Sequence, residues 1–419
     1  ASLPSIKPFG AHAFSRGLST TPAVGPRDVC IVAAARTPIG GYNGTLAKLS
    51  APQLGAHAIK AACERAGVGV DSVQEVYMGN VLSANIGQAP ARQAALAAGL
   101  LTSTVCTTVN KVCASGMKAL MLGSQQIQLG FADVVLAGGM ESMTNVPYYA
   151  PKARFGARMG DTTLVDGMVK DGLWDPYNEF HMGMCAEDCA QLHKVSRADQ
   201  DDHAMESYRR SRAATDAGHF RREIAPMVIP GRKGDMTVDS DEEVFNDASK
   251  LASARAAFKR DGTVTAGNSS TLSDGAAAIL VVSGEEASRR GLPVLARLRG
   301  YADAAQDPIQ FTTSPSLAIP LALSRAGVAQ TEVDAFEINE AFSVVSVANN
   351  RILGLDPERV NMFGGAVSMG HPIGASGMRI IVTLLTALDH VDGRFGVASI
   401  CNGGGGASAV VLERISGAA

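Results

Sequence analysis

The chain lacks the features that mark several large classes of protein. Its 419 residues contain no uninterrupted apolar run near the ~18 residues that a membrane span requires. The formal net charge of −3 argues against the basic surface of a nucleic-acid-binding protein. Seven cysteines, an odd number scattered from Cys30 to Cys401, do not form the framework of a disulfide-rich secreted domain. We expect a soluble protein from a reducing compartment, with neither nucleic acid nor a membrane as a partner.

Acidic residues are missing from the first 27 positions. This segment contains Lys7, Arg16 and Arg27, several serines and threonines, and no Asp or Glu before Asp28. That composition is typical of a mitochondrial transit peptide, which would place the mature protein in the matrix. An acid-free tail without a targeting role is the alternative. We leave residues 1–27 out of the fold prediction.

Strand and helix patterns alternate along the rest of the chain. Continuous apolar segments predict strands, and stretches with helical periodicity and end signals such as Ser50 and Gly67 predict helices. The predicted strands are 29–35, 73–79, 105–109 and 132–137, and the predicted helices are 51–66, 88–98 and 113–129. This alternation predicts an α/β protein with a mostly parallel sheet and helices packed on it.

The chain repeats itself. The sequence Ala-Ser-Gly-Met-Lys at 114–118 recurs 261 positions later as Ala-Ser-Gly-Met-Arg, and 73–79 has a counterpart 260 positions later at 333–339. Two matches at nearly one offset indicate two similar α/β halves. We assign 28–140 with 262–290 to the N-terminal half, 291–419 to the C-terminal half, and 141–261 to an inserted loop domain. The Lys/Arg-rich stretches of the insertion favour a grip on an anionic ligand, with a solvated surface excursion as the alternative.

A cysteine stands where the pattern begins a helix. Cys113 follows the strand predicted at 105–109 and opens the helix predicted at 113–129. A thiol at a helix N-terminus faces unpaired N–H groups and the positive end of the helix dipole, which favour the nucleophilic thiolate. A buried structural cysteine is the commoner fate of this residue type. Position alone leaves both interpretations open.

The second half supplies a partner for this thiol. Its matching helix start is Gly374, 261 positions after Cys113, and His371 lies three residues before it. If the halves pack around a pseudo-twofold axis, the imidazole lies near the thiol, which is the pairing that nucleophilic catalysis requires. A histidine in a glycine-rich turn is otherwise commonly structural.

Two further strand ends carry polar groups. Cys401 precedes the glycine run at 403–406, whose N–H groups would hold an oxyanion, and its thiol is placed to transfer protons there. Asn339 ends the strand predicted at 333–339, where its amide could hold a water or a carbonyl oxygen.

Four motifs together resemble the thiolase family. They are Asn-Lys-Val-Cys-Ala-Ser-Gly at 110–116, Asn-Glu-Ala-Phe at 339–342, Gly-His-Pro-Ile-Gly at 370–374 and Cys-Asn-Gly-Gly-Gly at 401–405, and the resemblance covers about 28–415. It implies the thiolase fold, in which two duplicated βαβαβαββ halves form five layers with an inserted loop domain, usually as a homotetramer. The segment 181–183, His-Met-Gly, is similar to the short-chain, acetoacetyl-CoA branch of the family.

The resemblance also implies an activity and roles for the site residues. The activity is the reversible Claisen condensation of two acetyl-CoA to acetoacetyl-CoA and CoA, by a ping-pong acetyl-cysteine mechanism without a redox cofactor. Cys113 would carry the acetyl group, His371 would activate its thiol, and Cys401 would exchange the α-proton. The N–H groups of Cys113 and Gly403 would hold the oxyanion, and His371 with a water on Asn339 would hold the enolate oxygen. The alternative is a broad-range 3-ketoacyl-CoA thiolase of β-oxidation, against which Phe311 argues by shortening the acyl pocket.

Binding positions follow from the same resemblance. For coenzyme A it implies Ser270 and His181 near the pantetheine, Asn246, Asp247 and Lys250 toward the nucleotide end, and Tyr208 as a further binding residue. Phe245 stands just before that loop, where relatives carry an arginine. For a potassium ion the matching positions are Tyr208, Ala266, Gly267, Ser269 and Val367, although Tyr208 on a helix is also explained by plain packing.

Overall fold

The computed structural model describes residues 24–231 and 234–415. The predicted transit segment, 1–27, therefore lies almost wholly outside the described residues. Among the described helices, none combines the length and the apolar character needed to cross a bilayer.

The first half begins with the predicted alternation. Its elements are β1 (Val29–Arg36), α1 (Ala51–Ala66), β2 (Glu75–Gly79), α2 (Pro90–Ala97), β3 (Val105–Val109), α3 (Ser115–Gln128) and β4 (Val134–Ser142). Local signals set the ends of α1. The Gln53 side chain accepts a hydrogen bond of 2.9 Å from the backbone N–H of Ser50, and Gly67 ends the helix in the left-handed region at φ 62°.

An insertion then leaves the sheet and returns to it. It holds α4 (Met182–Leu192), α5 (Arg197–Asp216) and short strands at Tyr148–Tyr149, Val165–Asp166, Trp174–Asp175, Phe180–His181, Met227–Ile229 and Met236–Val238. After it come β5 (Ser273–Ser283), which belongs to the sheet of the first half, and α6 (Gly284–Arg290). Because β4 runs through Glu141 and Ser142, the strand passes the boundary predicted at 140. The domain limits stay a prediction.

The second half repeats the first. Its elements are β6 (Ala296–Ala305), α7 (Pro315–Ala326), β7 (Val333–Ile338), α8 (Ser343–Leu353), α9 (Ala366–Met369), α10 (Ile373–His390), β8 (Phe395–Asn402) and β9 (Gly406–Arg414). The main strands are hydrogen-bonded in the order β7-β8-β9-β6-β1-β5-β4-β2-β3. Read outward from the β1–β6 junction, β1-β5-β4-β2 in one half corresponds to β6-β9-β8-β7 in the other.

The sheet is mixed, so the prediction of a mostly parallel sheet is wrong. Only the β2–β3, β2–β4 and β7–β8 pairs are parallel among these main strands, and the remaining pairs are antiparallel. The reason lies in the connections. β9 follows β8 through a tight turn, which joins antiparallel strands, whereas parallel neighbours need a longer crossover.

Five layers result from the packing. α1 and α2 cover the outer face of the first half of the sheet, and α7 covers the outer face of the second. Helices α3 and α10 lie between the two halves and contact each other, and α10 is buried on nearly every side. A helix that is apolar all round is stable only in such an interior position.

The repeated Ala-Ser-Gly-Met motif lets these central helices cross backbone against backbone. A Cβ added at Gly116 of α3 would lie 2.9 Å from the backbone nitrogen of Met378, and one at Gly377 of α10 would lie 2.8 Å from that of Met117. The contacts are reciprocal, as a pseudo-twofold axis requires. They bring the first turns of both helices, and the loops before them, together.

Candidate active site

A cavity of about 520 Å³ lies where the two halves meet the insertion. Its volume is that of a small-molecule site. Residues from all three parts of the chain line it, and they include Val112, Cys113, His181, Met182, Ser270, Phe311, His371 and Gly403. The structure therefore brings together five predicted catalytic and coenzyme A residues that are far apart in sequence, namely Cys113, His181, Ser270, His371 and Gly403.

Cys113 lies in a turn and does not begin the helix, which corrects the sequence prediction. α3 starts at Ser115, and the turn before it is wound tightly enough that Val112 has a φ of 48°. The Ser115 hydroxyl donates to the carbonyl oxygen of Val112 at 2.6 Å and accepts from the N–H of Lys111 at 2.8 Å. The side chain of Asn110 accepts from the N–H of Val112 at 3.0 Å. These bonds fix the direction in which the thiol points.

Burial decides the charge of this thiol. Cys113 is 9% exposed, and burial raises its pKa to about 12, against the lowering effect of the backbone N–H groups of Gly403 and Cys113. The expected thiolate is therefore not the resting form. The same two N–H groups are the donors that the resemblance assigned to the oxyanion, and both are close enough to influence the sulfur.

His371 is oriented by its neighbours as a neutral base. Its backbone N–H donates to the Ser273 hydroxyl at 3.1 Å, and its Nδ1 lies 2.6 Å from the Ser376 hydroxyl oxygen. Because Ser376 gives its single proton to the carbonyl of Pro372 at 2.9 Å, we assign the proton of the imidazole to Nδ1. Nε2 then carries the lone pair. It is buried and has no partner among the described residues.

The electrostatic surroundings also keep His371 uncharged. Burial, assisted by the positive charge of Arg379, lowers its pKa to about 3. A neutral thiol and a neutral imidazole thus share the cavity, and the proton must move between them as the sulfur attacks.

Cys401 and Asn339 lie outside the residues that line the cavity. Cys401 is the penultimate residue of β8, fully buried and packed in one cluster with Met182 and Phe311. Burial raises its pKa well above the ordinary value, and the nearby sulfurs of Cys113 and Cys189 raise it further. The Asn339 amide is fully buried, and its oxygen and nitrogen both lack hydrogen-bond partners within the described part of the chain.

The glycine turn between β8 and β9 presents the N–H of Gly403. Gly404 and Gly405 have φ of 84° and 88°, and a Cβ on Gly405 would overlap the carbonyl oxygen of Gln306. The carbonyl oxygen of Gly405 accepts from the N–H of Gln306 at 2.9 Å and from the Ser314 hydroxyl at 2.7 Å. The turn is therefore held against the segment that joins β6 to α7.

The predicted coenzyme A residues divide into two groups. His181 and Ser270 line the cavity, where the His181 ring stacks on Phe258 at 4.7 Å and the Ser270 hydroxyl donates to the carbonyl of Ala341 at 2.8 Å. Tyr208, Asn246 and Asp247 do not line it. Asn246 and Asp247 are exposed, and the side chain of Lys250 lies outside the described residues. Phe245 is half exposed, with the guanidinium of Arg212 5.2 Å above its ring.

Three of the five predicted potassium positions lie around the Leu251 side chain, and the other two, Ala266 and Ser269, line the cavity. Tyr208 and Val367 pack with Leu251 in a small buried cluster, and Gly267 approaches the same leucine so closely that a Cβ would overlap it. The Ser269 hydroxyl donates to the carbonyl of Thr265 at 2.6 Å, which holds the neighbouring loop. A phenol and carbonyl groups are the hard oxygen donors that an alkali cation prefers, so the residue types fit the ion.

Sequence reasoning missed a buried carboxylate next to the site. Glu141, at the end of β4, accepts hydrogen bonds from the backbone N–H groups of Val81 at 3.0 Å and Gly374 at 3.0 Å and from the Asn80 amide at 2.8 Å. Burial raises its pKa to about 7. It ties the N-terminus of α10 to the loop after β2. An acidic residue at the end of an apolar strand was the signal that could have identified it.

Models of two family domains match nearly all of the described chain. The thiolase N-terminal domain matches residues 29–285, and the thiolase C-terminal domain matches residues 292–414. The two matches meet between β5 and β6, close to the junction of the two halves.

Similar proteins carry related names. The chain is 58% identical over 395 residues to acetyl-CoA acetyltransferase 1 of Arabidopsis thaliana, which covers 93% of this chain and 95% of the relative. It is 54% identical to the mitochondrial acetyl-CoA acetyltransferase A of Xenopus laevis, over 93% and 92% of the two chains. The crystal structure of the Acat5 thiolase from Ascaris suum in complex with coenzyme A matches with a TM-score of 0.88 and 42% identity, over 93% of this chain and all of that one.

Proposed function

The chain belongs to the thiolase family, and on that premise we propose that it is an acetyl-CoA C-acetyltransferase. The reaction is the reversible condensation of two acetyl-CoA to acetoacetyl-CoA and CoA. The observation that carries the proposal is that Cys113, His371 and Gly403 line one cavity although they come from different parts of the chain.

The first half-reaction transfers an acetyl group to Cys113. As its sulfur attacks the thioester carbonyl, the thiol proton passes to Nε2 of His371, and the N–H groups of Cys113 and Gly403 hold the oxyanion. The bond from carbon to the CoA sulfur then breaks. The CoA thiolate takes a proton from Cys401 and leaves as the thiol. The enzyme now carries acetyl-Cys113, a protonated His371 and a Cys401 thiolate.

The second half-reaction forms the carbon–carbon bond and restores the starting state. The Cys401 thiolate removes an α-proton from a second acetyl-CoA, and its burial makes it a strong base. The protonated His371, with Asn339, holds the enolate oxygen. The enolate carbon attacks the acetyl group, and the Cys113 thiolate leaves and recovers its proton from His371. Every proton is accounted for without a redox cofactor.

The acyl pocket favours short chains. Phe311 is 2% exposed and lines the cavity beside Met182. A buried aromatic ring at this wall leaves less room for a long acyl chain, which supports acetyl and acetoacetyl groups over the broad-range 3-ketoacyl substrates.

Binding of coenzyme A and of potassium completes the proposal. Ser270 and His181 would contact the pantetheine arm, with Asn246, Asp247 and Lys250 toward the nucleotide. Tyr208 and the carbonyl groups of Ala266, Gly267, Ser269 and Val367 would hold the ion. Bound potassium would stiffen the loop that carries Ser270, through electrostatic attraction to those oxygens.

Assembly and location are part of the same proposal. We assign a homotetramer in the mitochondrial matrix, with 1–27 as the transit segment and roles in mevalonate and ketone body metabolism. The acid-free composition of the first 27 residues supports the location. Fusion of this segment to a fluorescent protein tests it, because a cytosolic reporter would contradict the assignment. Light scattering coupled to size-exclusion chromatography tests the tetramer.

The activity is tested with acetyl-CoA alone. We expect the wild-type protein to release free CoA and to gain one acetyl group on the Cys113 peptide. Cys401→Ala should still gain the acetyl group, with slower acetylation, and lose condensation by several orders of magnitude. Cys113→Ala should show neither step, and Cys63→Ala, at a buried position within α1, is the matched control. An acetyl group mapped to Cys401 with Cys113 free would overturn the assignment of roles.

A further inference from the structure

The ammonium group of Lys111 joins the turn that carries Cys113 to β9, the strand that follows the glycine turn. The Nζ of Lys111 donates to the carboxylate of Asp303 at 2.7 Å, to the hydroxyl of Ser408 at 2.8 Å and to the carbonyl oxygen of Ala407 at 3.1 Å. The Ser408 hydroxyl in turn donates to Asp303 at 2.6 Å. Lys111 comes from the first half of the chain, and its three partners come from β6 and β9 of the second.

The positions of these residues along the chain show which two parts of the site the contact joins. Lys111 lies two residues before Cys113, and Ala407 lies four residues after Gly403. The sulfur and the Gly403 N–H belong to segments that no short stretch of backbone connects. Three hydrogen bonds from the Lys111 side chain therefore connect the segment that carries Cys113 to β6 and to β9, the strand after the glycine turn.

The group is charged and partly sheltered from water. The Lys111 side chain is 25% exposed, and the Asp303 side chain is 36% exposed. Burial would raise the pKa of Asp303, but hydrogen bonds from Lys111, Lys118 and Ser408 hold it at about 2. Charge-assisted hydrogen bonds of this kind are short and directional.

We propose that Lys111 is a positioning residue for the acyl-transfer step, and that it sets the distance between the Cys113 sulfur and the Gly403 N–H by anchoring the nucleophile's turn to β9. This inference rests on the proposed function. Lys111 does not touch the reacting atoms, so its effect falls on the rate of the step and not on the binding of substrate. A misplacement of about 1 Å at reacting groups costs up to roughly 100-fold in rate.

A second lysine provides a matched control. Lys118 of α3 donates to the other oxygen of Asp303 at 2.6 Å and is equally sheltered, with 26% of its side chain exposed. Among the described residues its ammonium has no hydrogen-bond partner on β9, and it does not lie in the turn that carries Cys113. Loss of Lys118 removes the same charge from the same carboxylate and leaves the anchor in place.

The test compares Lys111→Met, Lys111→Arg and Lys118→Met by steady-state thiolysis of acetoacetyl-CoA. We expect Lys111→Met to lower kcat by roughly 10- to 100-fold with KM within about twofold of wild type. Lys111→Arg keeps a cationic donor and should retain more kcat than Lys111→Met. Lys118→Met should stay within about threefold of wild type. Equal kcat for Lys111→Met and Lys118→Met, or a loss seen in KM alone, would overturn the proposal.

Folding and the parent activity are checked separately. If Lys111→Met does not fold, Ser408→Ala decides, because it removes one acceptor of the ammonium and keeps every charge. A lower kcat at unchanged KM supports the anchor, and an unchanged kcat overturns it. A wild-type protein that releases no CoA from acetyl-CoA contradicts the proposed function, whereas an active wild type with a fully active Lys111→Met contradicts only this inference.

Discussion

The Ser376 hydroxyl decides which nitrogen of the proposed base is free to accept a proton. It accepts from Nδ1 of His371 at 2.6 Å while it donates to the carbonyl of Pro372 at 2.9 Å. The substitution Ser376→Ala removes this partner. The imidazole can then rotate or shift its proton to Nε2, and the tautomer that accepts the proton of Cys113 is no longer favoured.

The size of the effect follows from the burial of the pair. His371 is 6% exposed and Ser376 is fully buried, so Nδ1 loses its hydrogen bond without gaining water. Leaving a buried polar group unpaired costs about 1–3 kcal/mol. At about 1.4 kcal/mol for each factor of ten, kcat should fall roughly 5- to 150-fold. KM for acetoacetyl-CoA should change little, because Ser376 is not among the residues that line the cavity.

The assay is thiolysis of acetoacetyl-CoA, with Ser124→Ala as the control. Ser124 of α3 is also fully buried and also donates to the carbonyl four residues earlier, that of Leu120, at 2.7 Å, but it does not contact His371. Only Ser376→Ala should lose kcat, and it should also lose more thermal stability than Ser124→Ala because it leaves Nδ1 of His371 unpaired. If the kcat of Ser376→Ala stays within about twofold of Ser124→Ala, the role assigned to the hydroxyl is refuted.

Three further outcomes are expected. Because burial raises the pKa of Cys113 to about 12, its alkylation by iodoacetamide should rise about tenfold per pH unit across the neutral and mildly alkaline range, and a plateau near about pH 7 would contradict a neutral resting thiol. Phe311→Ala should raise the relative kcat/KM of longer 3-ketoacyl-CoA substrates, since each methylene gains ~0.8 kcal/mol if buried, and an unchanged chain-length profile would place the ring outside the acyl pocket. KCl should raise activity more than NaCl at equal ionic strength, because screening depends on charge and not on the identity of the ion, and equal responses would count against the potassium site.

Local signals predicted the parts of the fold that depend on neighbouring residues. β3 occupies the predicted 105–109, and α1 occupies the predicted 51–66 between Ser50 and Gly67. The parallel or antiparallel pairing of neighbouring strands was not predictable from local signals. It depends on which strands pair across the two halves, and β5 returns to the sheet only after the long insertion.

The site shows the same division between local and distant causes. The spacing of the repeat was enough to predict that Cys113 and His371 lie close together. It was not enough to give the charge of the thiol, because the pKa of Cys113 depends on burial by residues far away in sequence. The helix dipole favours a thiolate at a solvated helix start, but desolvation outweighs that effect at the buried Cys113. Lys111 and Glu141 escaped notice for a related reason, since their partners lie on distant strands.

The duplicated scaffold also explains why the nucleophile occurs only once. Ser115 and Ser376 stand at matching places in the repeat, and each forms a hydrogen bond to the turn before its own central helix. Cys113 and Gly374 also match, yet a Cβ at Gly374 would lie 2.7 Å from a carboxylate oxygen of Glu141 and 2.8 Å from the carbonyl oxygen of Met140. A second cysteine does not fit there. The N–H of Gly374 instead donates to Glu141 at 3.0 Å, which holds the start of α10, and with it the turn that carries His371, against the first half. The pseudo-twofold axis therefore places the starts of α3 and α10 together. Because a cysteine fits at position 113 and not at position 374, only the turn before α3 carries a nucleophile, and the start of α10 holds the turn of the base in place.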